Sequence, residues 1–180
     1  MDVLTGAELT TAVRGEIAQT VAGWTQEAAK RGEAILPQTA KTVEHQLAGG
    51  LAVLLVEQGM PIGFLTTYAL GVDDQAMRWW EVGTGIAPPE ERGRGLGTIL
   101  YTQVARMHPR DFLVCTTKNP VALHLSVKAG FCVVSFAVVP LVIREGLCVR
   151  TTCWQPCSSG RCKSEHNLGG PCYARLRVPQ

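Results

Sequence analysis

The chain has 180 residues, of which 46% are hydrophobic and 18% are charged. This length and balance are typical of one globular domain with a sizeable core. Its 17 basic and 15 acidic side chains leave a net charge of +2. This net charge is too small to indicate by itself a protein that binds nucleic acid or a membrane surface. The start, MDVLT, lacks the basic residues of a signal peptide, and no apolar run is long enough to span a membrane. We therefore expect a cytoplasmic protein without a membrane partner.

The first half of the chain predicts two helices followed by a β-hairpin. Residues 8–30 repeat apolar side chains at helical spacing, and residues 38–47 form a shorter helical segment. The apolar runs 51–56 and 62–70 are separated by a turn that contains glycine and proline, which indicates two paired strands. We predict no strand before the first helix, because only residues 3–5 have a suitable composition.

The second half alternates strands and helices. A strand is predicted over 77–86, a helix over 96–107, a strand over 112–117 and a helix over 120–128. A long apolar strand region follows over 131–143, interrupted by a proline. The order α-α-β-β-β-α-β-α-β predicts an α/β (α+β) fold with a mixed central sheet, antiparallel at first and then containing a parallel crossover.

A glycine-rich segment, Arg92-Gly93-Arg94-Gly95-Leu96-Gly97-Thr98, joins the third strand to the helix after it. Glycines leave backbone N–H groups accessible, and the start of a helix adds further N–H groups and a positive dipole end, so the segment suits a phosphate group. Arg92 and Arg94 are either charged donors to that phosphate or merely solvated side chains. The glycine spacing matches neither a Rossmann fingerprint nor a Walker loop.

Two motifs in this half resemble those of the GNAT family of N-acetyltransferases. The first, Arg92 to Gly97, is similar to the coenzyme A signature Arg/Gln-x-x-Gly-x-Gly/Ala of that family. The second runs from Asn119 through Ala122 to Gly130-Phe131 and resembles the family's Asn-x-x-Ala segment, which is followed after a helix by Gly-Phe. The resemblance covers roughly residues 51–139 and implies a GNAT-like fold with flanking helices.

The resemblance also implies acetyl-CoA as cosubstrate, and it assigns residues to its binding. In the family, the strand before the loop splays from its neighbour at a bulge and holds the pantetheine arm, and Gly83 and Gly85 suit such a bulge. Asn119 either contacts the ligand or caps its helix. The implied cofactor-binding residues are Thr84, Gly85, Ile86, Arg92, Gly93, Arg94, Gly95, Leu96, Gly97, Thr98 and Asn119.

Two residues are implied as catalytic. Glu81 lies eleven residues before Arg92, where the histone-acetyltransferase branch resembles this chain and carries a basic glutamate. The alternative for Glu81 is a solvated side chain or an ion pair with Arg78. Ser126 stands where many members carry a tyrosine that protonates the leaving thiolate, and a serine hydroxyl is shorter and far less acidic. Either another group or water supplies that proton, or the protein is a poor or inactive enzyme.

The C-terminal segment is rich in cysteine. The chain has 7 cysteines, and an odd count without an export signal argues against a disulfide framework. Four of a clustered set of soft and imidazole ligands could bind zinc, and free thiols or a redox pair are the alternatives. That set is Cys153, Cys157, Cys162, His166 and Cys172. We accordingly divide the chain into an acyltransferase domain, residues 1–147, and a Cys-rich extension, residues 148–180.

The leading functional hypothesis is an acetyl-CoA-dependent N-acetyltransferase that moves the acyl group to an amine by direct attack. The amine can belong to a small molecule or to a protein. Two other classes remain open, namely a GNAT-like module that binds CoA without turnover and a zinc-bearing adaptor for nucleic acid. The adaptor hypothesis depends on the basic residues around the cysteines, which are more often solvated surface, so nucleic acid is not the expected partner.

Overall fold

The computed structural model describes residues 1–33, 35–117, 119–134, 138–143 and 173–179. Short 3-10 turns occur at Gly6–Glu8 and Pro89–Glu91. The helices and strands, in chain order, are β1 (Asp2–Thr5), α1 (Thr11–Lys30), α2 (Ala40–Ala48), β2 (Ala52–Glu57), β3 (Met60–Val72), β4 (Arg78–Ile86), α3 (Leu96–Met107), β5 (Phe112–Thr117), α4 (Pro120–Lys128), β6 (Cys132–Val134) and β7 (Tyr173–Arg177).

The strands form one mixed sheet in the order β1-β2-β3-β4-β5-β7-β6. β1, β2 and β3 are antiparallel neighbours, and Gln58 and Gly59 make the β2–β3 turn with positive φ values of 52° and 79°. β4 and β5 are parallel and are connected by α3, with Glu81 opposite Val114. β7 is antiparallel to both β5 and β6. The predicted α/β fold with a mixed sheet and a parallel crossover is confirmed.

Two compact units make up the chain, residues 1–67 with 83–107 and residues 68–82 with 108–180. The core of the first unit forms where the apolar faces of α1 and α2 meet β2 and β3, around Val21, Val43 and Phe64. β2 is buried along nearly its whole length, as its continuous apolar run predicts.

The core of the second unit is built around Trp79. Its ring stacks on Phe112 with centroids 4.3 Å apart, and Val114, Ile143 and Leu176 are buried in the same cluster. Leu176 lies on β7, so this late strand contributes directly to the core.

The prediction of the N-terminal edge is wrong. Asp2–Thr5 forms the edge strand β1, with Val3 opposite Leu55. The strand is short and largely exposed, so few apolar residues mark it in the sequence. The first helix also begins later than predicted, because Thr10 caps it by accepting a hydrogen bond from the backbone N–H of Val13.

The prediction of a long strand over 131–143 is also wrong. Among the described residues of this range, 131–134 and 138–143, only Cys132–Val134 is strand, and residues 141–143 are helical. The backbone N–H of Ile143 donates to the carbonyl of Pro140, which closes a turn where an extended strand was expected. A short apolar run cannot by itself distinguish a strand from a buried helical turn, and this is the cause of the error.

No strand is predicted in the C-terminal extension, yet β7 lies within residues 148–180. Residues 173–177 pair with β5 through Cys115 opposite Arg175 and with β6 through Cys132 opposite Leu176. At least this part of the extension therefore belongs to the sheet, while the boundary at residue 147 stays a prediction. The predicted zinc ligands Cys153, Cys157, Cys162, His166 and Cys172 lie outside the described residues.

Candidate active site

The glycine-rich loop has the backbone geometry of an open cradle. Gly93 and Gly95 adopt φ values of 81° and 79°, which side-chain-bearing residues rarely adopt. A Cβ placed on either glycine would meet no atom within 4 Å. α3 begins at Leu96, and the first N–H groups of a helix point out of its N-terminus with the positive end of the dipole. The loop therefore offers accessible backbone donors in a shape that fits a phosphate group.

Both arginines of the loop form ion pairs with carboxylates that are distant in sequence. Nη2 of Arg92 contacts the two carboxylate oxygens of Glu33 at 3.1 and 2.9 Å. Nη2 of Arg94 contacts both oxygens of Glu57 at 2.9 Å, and its Nη1 donates to Glu91. Sequence reasoning missed Glu33 and Glu57, because they lie 59 and 37 residues from their arginines.

The ion pairs shift the pKa values of Glu33 and Arg94. Partial burial alone would raise the pKa of Glu33, but hydrogen bonds from Arg31 and Arg92 outweigh it and lower the pKa. The pKa of Arg94 is raised, first by its hydrogen bonds to Glu57 and then by those to Glu91. Both shifts favour the charged forms, so Arg94 in the loop stays positive and Glu33, the partner of Arg92, stays negative.

The end of β4 that leads into the loop is distorted. Composition predicts this distortion at Gly83 and Gly85, whereas the left-handed φ, 50°, lies on Thr84 between them. Such a conformation costs a residue with a side chain about 1–2 kcal/mol. At Gly85, a Cβ would lie 2.9 Å from the side chain of Leu65, so a larger residue would require that side chain to shift. Strained residues of this kind cluster at functional sites.

The other cofactor-binding residues assigned by resemblance differ in what they expose. The side chains of Ile86 and Leu96 are buried in the core, so only their backbone can face a ligand. Gly97 and Thr98, in the first turn of α3, are partly exposed, and the N–H of Thr98 donates to the carbonyl of Gly95 at 3.1 Å.

Glu81 is buried on β4, with only 6% of its surface exposed. The hydroxyl of Thr116, on β5, donates a hydrogen bond to Oε1 of Glu81 at 3.1 Å. The alternative interpretations of Glu81 are wrong, because the residue is not solvated and Arg78 pairs with Asp111 at 2.9 Å. Sequence reasoning missed Thr116, which lies 35 residues further along the chain.

Ser126 and Asn119 make local contacts within α4. Ser126 is fully buried, and its hydroxyl donates to the carbonyl of Leu123 at 2.9 Å. Oδ1 of Asn119 accepts a hydrogen bond from the N–H of Val121 at 2.9 Å and so caps the helix. The proton that Ser126 would need for catalysis is thus already engaged in the helix.

A second group of polar residues lies where β5 begins, around the buried side chains of His108 and Asp111. Oδ1 of Asp111 accepts a hydrogen bond from Nε of Arg78, and Oδ2 accepts one from Nε1 of Trp80, both at 2.9 Å. Nδ1 of His108 also lies 3.2 Å from Oδ2. Burial lowers the pKa of His108, and the hydrogen bond with Asp111 offsets part of that shift. The cluster links the start of β4 to the start of β5 through side-chain hydrogen bonds.

Neither a metal centre nor a membrane span is found in the part of the chain that the structure describes. No three His, Cys, Asp or Glu side chains of those residues are grouped as metal ligands would be. Of the helices described, none is both long and apolar enough to cross a bilayer. The zinc hypothesis stays a prediction, since it concerns residues outside the described ranges.

The sequence model of the acetyltransferase (GNAT) family matches residues 18–131. The chain belongs to the GNAT acetyltransferase family. The matched range contains Glu81, the glycine-rich loop, Asn119 and Ser126, and it confirms the family that the two motifs indicate. At the level of sequence, no curated protein matches this GNAT chain.

Solved GNAT-like structures share its fold at low sequence identity. A Mycobacterium tuberculosis protein in complex with CoA is 16% identical with a TM-score of 0.64, covering 100% of both chains. A Sinorhizobium meliloti phosphinothricin acetyltransferase in complex with AcCoA is 16% identical with a TM-score of 0.58, covering 74% of this chain and 75% of the other. A ribosomal-protein-alanine N-acetyltransferase from Brucella melitensis is 15% identical with a TM-score of 0.58, covering 74% and 86%. These similarities establish the fold.

Proposed function

We propose that this GNAT protein transfers an acetyl group from acetyl-CoA to an amine. The observation that carries the proposal is the cradle at Gly93 and Gly95, where two left-handed glycines with open Cβ positions precede the first turn of α3. Two of the similar structures hold CoA or AcCoA, and a third is described as an N-acetyltransferase of a protein alanine. These neighbours support the ligand and the chemical class of the acceptor.

In this proposal the loop binds the pyrophosphate of CoA through its backbone N–H groups. Arg92 and Arg94 exchange their carboxylate partners for phosphate oxygens, which suits guanidinium groups because both partners accept two parallel hydrogen bonds. We assign the pantetheine arm to the distorted strand end around Thr84, as the family resemblance implies. Acetyl-CoA supplies an activated acyl carbon when bound.

Glu81 serves as the base in the proposed mechanism. An amine is mostly protonated near neutral pH and cannot attack until a proton is removed. A buried carboxylate held in one orientation by Thr116 can accept that proton directly or through a water molecule. Because the hydroxyl of Ser126 donates to a helix carbonyl, we assign the protonation of the leaving sulfur to water.

A second candidate function is CoA binding without turnover. One observation favours it, namely that the residue at the position of the family's tyrosine acid is a fully buried serine whose hydroxyl donates to Leu123. The two candidates share the loop and differ only in whether acetyl transfer follows binding.

The test is to incubate the purified protein with acetyl-CoA and a panel of polyamines, amino acids and peptides, and to follow release of free thiol. Calorimetry measures CoA binding in parallel. We expect turnover on at least one amine class, whereas binding without turnover on any amine would support the second candidate.

The loop itself is tested by Gly95→Glu, which we expect to weaken CoA binding about 100-fold because a carboxylate enters the phosphate cradle. Gly50→Glu is the matched control, since Gly50 also has a positive φ, 65°, and open space around its Cβ position. It imposes the same kind of backbone cost and the same added charge at the α2–β2 turn. Equal CoA affinity in both variants would contradict the proposed site.

A further inference from the structure

The contact between Glu81 and Thr116 joins two adjacent parallel strands of the same unit. Glu81 on β4 stands opposite Val114 on β5. Thr116 lies two residues beyond Val114, so its side chain projects from the same face of the sheet. A glutamate is long enough to reach such a diagonal neighbour, and the hydrogen bond of 3.1 Å shows that it does.

We propose that Thr116 is the positioning residue that holds the Glu81 carboxylate in the orientation required for proton transfer. The proposal depends on the function proposed above, because it gives Thr116 a role only through Glu81. Nothing in the sequence motifs of the family resemblance involves residue 116.

Threonine is well suited to this task because its side chain is stiff. Two heavy atoms on Cβ restrict χ1, and the backbone on either side is fixed by pairing of β5 with β7. Its hydroxyl therefore donates from a nearly fixed point, whereas a longer polar side chain would lose more conformational freedom in doing so. A fixed donor limits rotation of the carboxylate that accepts from it.

The same hydrogen bond acts on the charge of Glu81. A donor to a carboxylate favours the ionised form, which is the form that accepts a proton, whereas burial disfavours it. Glu81 is 6% exposed, so water can replace the Thr116 donor only to a small extent. Removal of the hydroxyl should therefore move the rise of activity with pH to higher pH as well as lower its maximum.

The test compares Thr116→Val, which keeps the shape and loses the hydroxyl, with Thr116→Ser, which keeps the hydroxyl and loses a methyl group. We expect Thr116→Val to lower kcat about 10-fold, to shift the acid limb of the pH–rate profile upward and to leave the Kd for acetyl-CoA unchanged. Thr116→Ser should restore kcat to within about 2-fold of the wild type and restore the profile. A wild-type kcat and profile in Thr116→Val would overturn the proposal.

A double-mutant cycle separates this proposal from a general loss of structure. In a Glu81→Gln background, Thr116→Val should lower kcat no further, because the group it positions is already absent. An equal loss in both backgrounds would assign Thr116 a merely structural role and contradict the proposal. If Glu81→Gln alone left the rate unchanged, the assignment of the base would fail first, and the positioning role would fail with it.

One readout does not require turnover. In protein labelled with ¹³C at the glutamate carboxyl carbons, NMR can follow the titration of Glu81 in the wild type, Thr116→Val and Thr116→Ser. We expect the midpoint to move to higher pH in the valine variant alone. The same midpoint in all three proteins would overturn the proposal whether or not an acceptor amine has been found.

Discussion

The glycine-rich loop and the Glu81–Thr116 pair both contain ionisable side chains, but the surroundings of those side chains are opposite. In the loop, the side chains of Arg92 and Arg94 are 46% and 40% exposed and are paired with carboxylates from distant segments. Glu81 is buried and accepts a hydrogen bond from a hydroxyl on the next strand. Exposed ion pairs contribute about 0–1 kcal/mol, whereas a buried hydrogen bond to a charged group contributes about 1.5–3 kcal/mol.

The difference suits the two regions to separate tasks, namely ligand binding in the loop and proton transfer at Glu81. A weak, exposed pair can exchange its carboxylate for a phosphate at little cost, which suits a site that binds and releases a ligand in every cycle. A buried carboxylate with a fixed donor keeps one orientation throughout, which suits proton transfer. Variants in the two regions should therefore change different kinetic constants.

The largest effect is expected from Glu81→Gln. The amide has the shape of the carboxylate but cannot act as the base, so kcat should fall about 100-fold or more. The Kd for acetyl-CoA, measured by calorimetry, should stay within about 2-fold of the wild type, because the loop is intact.

Glu90→Gln is the control for loss of one negative charge, since Glu90 is exposed in the Pro89–Glu91 turn. It should leave kcat unchanged. If Glu81→Gln also lowered the affinity for CoA, the separation of the two tasks would be contradicted, because the buried residue would then be part of the CoA-binding surface.

The next effect is smaller and concerns the affinity for CoA, which we expect Glu57→Gln to raise. The variant removes the carboxylate that contacts Nη2 of Arg94 and leaves the contact of Nη1 with Glu91, so Nη2 becomes available to phosphate and the affinity for CoA should rise about 3-fold. The gain should shrink at high salt, because screening weakens exposed pairs in the wild type as well. Calorimetry at low and high ionic strength measures both.

Glu16→Gln removes the same charge from an exposed position on α1 and serves as the control. If Glu57→Gln weakened CoA binding while Glu16→Gln did not, Glu57 would be holding Arg94 in place for the ligand. The proposal that Arg94 exchanges its carboxylate partner for a phosphate would then be wrong.

The sequence predicted most of the fold because its signals are local. The bounds of α3, β5 and α4 are observed as predicted, since proline, glycine and a capping asparagine mark their ends. β7 was missed because its signal is weak, since arginine occupies two of the five positions of Tyr173–Arg177. Its burial depends on β5 and β6, which lie far away in sequence.

In the candidate site, too, local features could be predicted and long-range contacts could not. The loop and its glycines could be predicted from their spacing, and so could the position of Glu81. The partners of these residues could not, because Glu33, Glu57 and Thr116 are brought in by the fold from 35 to 59 residues away. The left-handed φ at Thr84 also escaped prediction, because composition favours a glycine for such a conformation and two glycines flank it.

The smallest expected effect concerns stability and comes from His108, another buried titratable group. Burial lowers its pKa in the folded protein, so below about pH 6.5 the unfolded chain takes up a proton more readily than the folded one. The free energy of unfolding should therefore decrease as the pH falls from 7 towards 5, by at most about 1.4 kcal/mol per pH unit from this residue. Urea unfolding across this range measures the slope, which should be shallower in His108→Gln and unchanged in His124→Gln, whose histidine is exposed. Equal slopes in both variants would show that burial of His108 does not control the loss of stability at low pH. The difference between buried and exposed ionisable groups would then hold only within the candidate active site.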